Sequence, residues 1–288
     1  MKLNSRNQFF TDLKYNNLSN IAIIGANGFL GAALAEEVIK LNHNLICVYN
    51  KSSENIPKEL FKIQITEFLS SAFPVDILYI VAGNYNISHN DLISVNCNLL
   101  QSLKSKYPTA KFIYISSTNV YGNHSEIINE NSSFNSPNIY GLSKIVGEFI
   151  ISSVQKYIII RFTYLYGKKL TNLSFLPTII SKAKIEKKIK LKGDGSRVQD
   201  YLHISDAVDL CIKSIDINDN SVLLGASGVS ISNLSVSKII QKVIPECTIE
   251  FEQKELSSSM HFDVKWTIAK SNWSPKNNFE DLFKEMIY

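Results

Sequence analysis

Long apolar runs are missing from this chain. No stretch approaches the length of a membrane span, and the opening MKLNSRNQFFTDLKYNN holds no apolar segment long enough for a secretion signal, so a cytoplasmic protein is expected. Cysteine is scarce: Cys47, Cys97, Cys211 and Cys247 are scattered, with neither C-x-x-C nor metal-ligand spacing, and they read as reduced packing thiols. The histidines His43, His89, His124, His203 and His261 form no short ligand pair, which gives a metal site no support. Charge of one sign is also lacking. Thirty basic against 26 acidic side chains leave +4, too weak a field to imply nucleic acid or a membrane surface. The one local excess is Lys182, Lys184, Lys187, Lys188, Lys190 and Lys192. It reads as a solvated face, with contact to an anionic substrate as the alternative.

What is present is an ordinary globular chain of 288 residues, 45% apolar, with ample material for a core. Residues 1–18 read as an N-terminal appendage. From Asn20 onward, short apolar runs alternate with stretches of helical periodicity: IAII before Gly25, a helix over Phe29 to Leu41, then Leu45 to Tyr49. The pattern continues with ILYIVA after Asp76, a helix over Asp91 to Tyr107, a strand over Phe112 to Ser116, a helix over Tyr140 to Lys156 and a strand over Tyr157 to Thr163. Strands apolar on both faces, alternating with helices, indicate an α/β protein with a Rossmann-like doubly wound parallel sheet. That domain spans 19–167. Residues 168–288 read mainly as a smaller C-terminal α/β substrate-binding domain, with segments near 200–225 returning to the first core.

Gly25, Gly28 and Gly31 are spaced G-x-x-G-x-x-G where a strand ends and a helix begins. Glycine is wanted there because a β-carbon would obstruct the turn and the approach of a pyrophosphate to the positive end of the helix. Asn27, Phe29 and Leu30 belong to the same candidate cofactor turn, and Ala82 and Gly83 follow the next central strand. The end of the second strand distinguishes the two nicotinamide cofactors, since a carboxylate there bonds the ribose hydroxyls. Here stand Asn50, Lys51 and Ser52 with no acid beside them. NADP(H) is favoured, with NAD(H) possible.

Tyr140 and Lys144 lie four positions apart at the start of a predicted helix, hence on one face. A free phenol titrates near about 10, and an adjacent ammonium favours the phenolate, which suits it to proton exchange with a substrate oxygen. Ser117, Thr118 and Asn119 follow a buried strand at the carboxyl edge, where open α/β sheets bind ligands. With the glycine turn, Val95-Asn96, the S-S-T-N-V-Y-G strand end, Arg161 through Tyr166-Gly167, Gly193-Asp194-Gly195, Asp200 through Asp206 and Trp273-x-Pro275, the chain resembles the extended short-chain dehydrogenase/reductase family, the nucleotide-sugar epimerases, dehydratases and reductases.

The resemblance implies Tyr140 as general acid/base and a cofactor contact, Lys144 as its pKa modifier and a ribose contact, and Ser117 as the hydrogen-bonding partner of the converted oxygen. It places Asn96 near the cofactor as a structural residue, with helix capping as the alternative. Asp206 reads as a helix N-cap, and Tyr121 and Tyr166 as core aromatics. Dehydratases of the family carry Asp-Glu after the catalytic hydroxyl residue, whereas Thr118-Asn119 offers no carboxyl acid or base, so dehydration is not the expected reaction. Hydride transfer remains. The expectation is an NADP(H)-dependent reductase of a keto group at C4 of a nucleotide-linked keto-deoxysugar. Alternatives are an epimerase with tightly held NAD and a non-catalytic NADP-binding sensor or scaffold. Thr118, Asn119, Tyr164, Arg197 and Gln199 are the candidate substrate contacts. Gln199 stands where relatives often carry arginine and Tyr164 where they carry asparagine. The family also implies a homodimer through the helices near 91–107 and 140–156.

Overall fold

A computed structural model describes residues 18–83, 92, 94–252, 254–255 and 257–288. The expected appendage, apart from Leu18, and the start of the helix expected from Asp91 lie outside the described residues.

Strands β1 (Asn20–Ile24), β2 (Asn44–Tyr49), β3 (Lys62–Gln64), β4 (Ile77–Ile80), β5 (Lys111–Ser117) and β6 (Lys156–Phe162) lie in one sheet. Helices α1 (Phe29–Val38), α2 (Ile65–Ser70), α3 (Leu100–Lys106) and α4 (Ile139–Ile151) connect them, α3 being preceded by a π-helical turn over Ser94–Leu99. The chain continues through β7 (Tyr164–Tyr166), α5 (Phe175–Glu186), β8 (Lys188–Lys192), β9 (Val198–His203), α6 (Ile204–Lys213), β10 (Ser221–Gly225), β11 (Ser230–Ser232), α7 (Asn233–Val243), β12 (Thr248–Glu252), α8 (Lys265–Ser271) and α9 (Phe279–Ile287).

Among the described residues the main sheet has seven strands in the order β3-β2-β1-β4-β5-β6-β10, and every pair in it is parallel. Alternate side chains serve two cores, as the period-two geometry of a strand requires. Ile21, Ile23, Ile113, Ile115, Ile158 and Ile160 meet Leu30, Leu34 and Val38 of α1 and Val208 and Leu210 of α6. Ala22, Ile24, Phe112, Tyr114 and Ile159 meet Leu100 and Leu103 of α3 and Ile150 and Ile151 of α4 on the opposite face. Burial on both faces explains why these strands read as unbroken apolar runs. Because order reverses at β1, with β2 to one side and β4 to the other, a crevice opens at their carboxyl ends.

Beyond β6 the chain builds a third core from α5, α7, α9, β8 and β9, including Leu176, Ile180, Leu191, Val236, Ile240 and Phe283. It then returns: α6 packs into the first core and β10 extends the main sheet beside β6. Three of the clustered lysines face carboxylates, with Lys187 to Glu246 at 2.8 Å and Lys188 to Glu250 and Lys190 to Glu252 at 2.7 Å each. These last two pairs run along the exposed face of the parallel β8–β12 pair, a solvated arrangement.

One capping expectation is corrected. The sequence places Asp206 at a helix N-cap, but α6 begins two residues earlier and His203 holds that position, its ring accepting from Ser205 N. Asp206 lies in the first turn, buried, and its carboxylate accepts from the backbone N–H groups of Lys276 (3.2 Å) and Asn277 (3.1 Å). Trp273 Nε1 donates to the Asp206 carbonyl at 2.9 Å. Asp206 therefore anchors the C-terminal segment to the main core. Tyr121 and Tyr166 are both fully buried aromatics.

Candidate functional site

The turn from β1 to α1 is built around glycine for two steric reasons. Gly25 has φ +92°, and a β-carbon there would sit 2.7 Å from Ala82 N, just past β4. A β-carbon on Gly31 would sit 2.2 Å from the Gly25 carbonyl oxygen. The turn is thereby pressed against both the neighbouring strand and the helix it opens. Gly28 is the N-cap of α1, has no side-chain cap, and no acidic residue occupies the first turn. The leading N–H groups of Phe29, Leu30 and Gly31 and the positive helix end suit a pyrophosphate. The Phe29 and Leu30 side chains point elsewhere, Leu30 into the core and Phe29 against Gly167.

Asn27 ties this turn to the segment after β2. Its amide donates to Ser52 Oγ at 2.8 Å, and its side-chain and backbone oxygens accept from Asn55 N (2.8 Å) and Asn55 Nδ2 (2.9 Å). Asn50, Lys51 and Ser52 are thus exposed beside the glycine turn, with the Asn50 carbonyl accepting from Gln64 Nε2. The cradle and its rim fit a dinucleotide.

The candidate catalytic residues gather beyond the carboxyl ends of β4 and β5, at the start of α4. Asn138 caps α4 by accepting from Gly141 N at 2.8 Å, so Tyr140 and Lys144 fall in its first turns. Lys144 is buried and donates to the Ile115 carbonyl on β5 at 3.0 Å. Its Nζ lies 5.9 Å from the Tyr140 ring centroid and 4.9 Å from that of Tyr114. Burial pushes the Lys144 ammonium down to about 8, against the opposing pull of Glu148 one turn later. A β-carbon on Gly83 would lie 3.0 Å from Lys144 Nζ, so the segment after β4 and the lysine meet at that glycine. Tyr140 is half-buried. Ser117, at the end of β5 and 8% exposed, accepts at Oγ from Asn119 N (3.2 Å) and Asn119 Nδ2 (3.0 Å).

Asn96 is buried beneath α4. Tyr114 Oη donates to its Oδ1 at 2.9 Å, and its Nδ2 donates to Ser143 Oγ at 3.2 Å. It lies within the π-helical turn and braces the floor of the site. Of the candidate substrate contacts, Thr118 is buried and Asn119 is half-buried beside Ser117. Tyr164 packs its ring on Tyr201 at 6.0 Å. Arg197 donates through Nε to the Ser258 carbonyl at 3.1 Å and has no ion-pair partner among the described residues. Gln199 is turned inward: at 2% exposure it donates through Nε2 to Tyr201 Oη (3.0 Å) and Asn233 Oδ1 (2.8 Å). With both amide donors spent on protein partners, Gln199 offers no donor to a ligand.

Sequence reasoning missed three contributors. Tyr114 forms the aromatic floor under Lys144, Asn138 links the α4 cap to Asn119 (Nδ2 to Oδ1, 3.4 Å), and Glu148 pairs with Arg161 behind the site. Asn138 was signalled by its place just before a helix, and Glu148 by its i+4 spacing from Lys144. Tyr114 had no signal beyond lying in a buried strand.

Comparison with known proteins agrees with this geometry. The model of the NAD-dependent epimerase/dehydratase family matches residues 21–223. The UDP-glucose 4-epimerase of Mycoplasma genitalium is 25% identical over 325 residues, covering 93% of this chain and 94% of that enzyme. Among solved structures, MoeE5 in complex with UDP-glucuronic acid and NAD superposes with a TM-score of 0.82 at 17% identity, over 93% of this chain and 97% of that one. The UDP-glucose 4-epimerase of Thermotoga maritima, with UDP-glucose, gives a TM-score of 0.81 at 19% identity over the same shares. The chain, with its glycine cradle and the Tyr140–Lys144 helix on one crevice of a parallel sheet, belongs to the NAD-dependent epimerase/dehydratase family.

Proposed function

We propose that this chain is an NADPH-dependent reductase of a keto group at C4 of a nucleotide-linked keto-deoxysugar, with Tyr140 as proton donor. The observation that carries the reading is the lack of carboxylates at the two positions that decide cofactor and reaction. After β2 stand Asn50, Lys51 and Ser52, and after Ser117 stand Thr118 and Asn119. The first set leaves room for a 2′-phosphate, and the second has no group able to remove water by acid/base chemistry.

When bound on the glycine cradle, the dinucleotide supplies the hydride. Ser117 donates a hydrogen bond to the carbonyl oxygen as negative charge builds there, and Tyr140 gives that oxygen its proton. Lys144, cationic below about 8, stabilises the phenolate left behind. Arg197, with no carboxylate partner among the described residues, supports a diphosphate-bearing substrate. The test is NADPH oxidation with UDP- and dTDP-linked 4-keto-6-deoxysugars; turnover supports the reading, and failure across the set sinks it. The second reading, a 4-epimerase, uses the same trio and is favoured by the epimerase relatives. An epimerase retains its cofactor, so dinucleotide released on denaturing the purified protein identifies that case.

Cofactor choice has its own test. Asn50→Asp places a carboxylate at the end of β2, where it repels a 2′-phosphate and bonds ribose hydroxyls. The ratio of NADPH to NADH affinity, measured by fluorescence titration, should fall by roughly tenfold or more, the equivalent of about 1.4 kcal/mol. An unchanged ratio removes the NADPH assignment.

A homodimer forms part of the same proposal. Ile139, Leu142, Val146 and Phe149 are 49, 46, 45 and 76% exposed and recur along α4 at steps of three and four residues. Such a stripe on one helical face suits pairing with the same helix of a second copy. Phe149→Glu should convert a dimer into a folded monomer by light scattering, and a parent protein that is already monomeric overturns this assignment.

A further inference from the structure

We infer that Asn138 and Asn119 form a one-way hydrogen-bond relay that holds the Ser117 hydroxyl as a donor toward the reacting oxygen. The inference rests on the reading above in which Ser117 touches that oxygen. Its starting point is a group whose polarity cannot change. The backbone N–H of Gly141 only donates, and it donates to Asn138 Oδ1 at 2.8 Å. The other end of the Asn138 amide is therefore its NH₂, which faces Asn119 Oδ1 at 3.4 Å. That contact turns the Asn119 NH₂ toward Ser117, where it donates to Oγ at 3.0 Å. The Asn119 backbone N–H donates to the same oxygen at 3.2 Å.

A serine hydroxyl has two acceptor positions and one proton. Asn119 occupies both acceptor positions, so among the described residues the Ser117 proton is the capacity left for a ligand. The hydroxyl is thereby fixed as a donor, suited to a developing oxyanion and unsuited to act as a base. The α4 N-terminus also polarises the relay in the useful sense, since its positive end lies at the Gly141 N–H. Packing holds the two segments in place: a β-carbon on Gly141 would come within 2.2 Å of the Asn119 carbonyl oxygen, so glycine allows the helix start to sit against that backbone. Asn119 and Asn138 are positioning residues here, and neither needs to contact substrate. The family's acidic alternative at position 119 would reverse the last link, because a carboxylate can only accept.

The decisive variant is Asn138→Asp. Aspartate caps α4 as well as asparagine does, so the helix start is kept. It cannot donate to Asn119, and it draws the Asn119 NH₂ toward itself, turning Oδ1 onto Ser117. The polarity can be read without any sugar substrate in a Ser117→Cys background, because N–H donors aimed at sulfur favour the thiolate. Alkylation of position 117 by iodoacetamide is followed against pH by mass spectrometry. Adding Asn138→Asp should shift the alkylation midpoint upward and lower the neutral-pH rate by about tenfold, a difference that persists in high salt. A charge effect alone from this exposed position would be screened.

An unchanged midpoint, or a shift that high salt abolishes, overturns the relay. Should Asn138→Asp lower the melting temperature, Asn119→Ala removes the side-chain donor without touching the cap and must move the midpoint the same way. In the catalytic assay either positioning variant should cut kcat by roughly 10²-fold with KM held, the scale of losing one oxyanion donor. Ser117→Ala separates the two layers. Full turnover in Ser117→Ala removes Ser117 from the chemistry, whereas a large loss in Ser117→Ala with no thiol shift in Asn138→Asp refutes the relay alone.

Discussion

Tyr140→Phe should lower turnover by roughly 10²- to 10⁴-fold, the range of a positioned general acid or base, while NADPH affinity stays close to that of the parent. The separation follows from what the substitution removes. Phenylalanine keeps the half-buried ring beside Lys144 Nζ, 5.9 Å from its centroid, and deletes only the hydroxyl. The glycine turn, the uncapped start of α1 and the Asn27–Ser52 contact are untouched, so the groups that would hold the dinucleotide remain in place. Lys144→Met is the contrasting variant. Lys144 donates to the Ile115 carbonyl and reaches the cofactor side at Gly83, so its loss should weaken both turnover and cofactor binding. Stopped-flow measurement of single-turnover NADPH oxidation, with parallel fluorescence titration of the cofactor, separates the two effects. Unchanged turnover in Tyr140→Phe would mean that the phenol does not exchange the proton, and both the reductase and the epimerase readings would fall with it.

Strand and helix alternation was legible because burial on both faces leaves the parallel strands uniformly apolar. Ile21 through Ile24 needs no tertiary information to read as a central strand. The glycine turn was legible for a related reason: Gly25 and Gly31 sit where any side chain would strike backbone, so the sequence carries the constraint directly. Tyr140 and Lys144 share a helix, and local spacing places them. What escaped reading depends on contacts between distant segments. Gln199 reads as a substrate contact because it stands where the family often carries arginine, yet Tyr201 and Asn233 turn its amide inward. Asp206 carries the signature of a helix cap, but the C-terminal backbone at Lys276 and Asn277 arrives from far along the chain and claims its carboxylate. The polarity of the Asn138–Asn119–Ser117 chain likewise requires β5 and α4 to be seen together.

Glu148→Ala should destabilise the protein by about 3–5 kcal/mol, the cost of leaving a buried charge without its partner. Glu148 and Arg161 are each 6% exposed and meet in a two-pronged pair, Arg161 Nε to Oε1 at 3.0 Å and Nη2 to Oε2 at 2.7 Å. Ser116 Oγ donates to Oε1 as well. The rest of the guanidinium is committed too, through Nη1 to Tyr121 Oη (3.0 Å) and the Glu130 carbonyl (2.9 Å), with the Tyr121 and Phe134 rings 5.0 and 5.2 Å away. Burial alone would lower the affinity of Arg161 for its proton, but the Glu148 and Tyr121 contacts outweigh it and hold the group above its ordinary range. Removing Glu148 takes away the only carboxylate partner Arg161 has among the described residues. Water cannot replace it without opening the packing between α4, β5 and β6. Against a typical net stability of about 5–15 kcal/mol, such a loss brings the chain near its unfolding threshold. Replacing both partners, Glu148→Met with Arg161→Met, removes the stranded charge and should recover much of the loss. Urea denaturation of the two single variants and the double gives the coupling directly. A Glu148→Ala cost below about 1 kcal/mol, the scale of an exposed pair, would show that the pair does not hold α4 to the sheet. If the pair does hold it, mild destabilisation should first appear in α4, which carries Tyr140 and Lys144, because Lys144 lies one turn from Glu148.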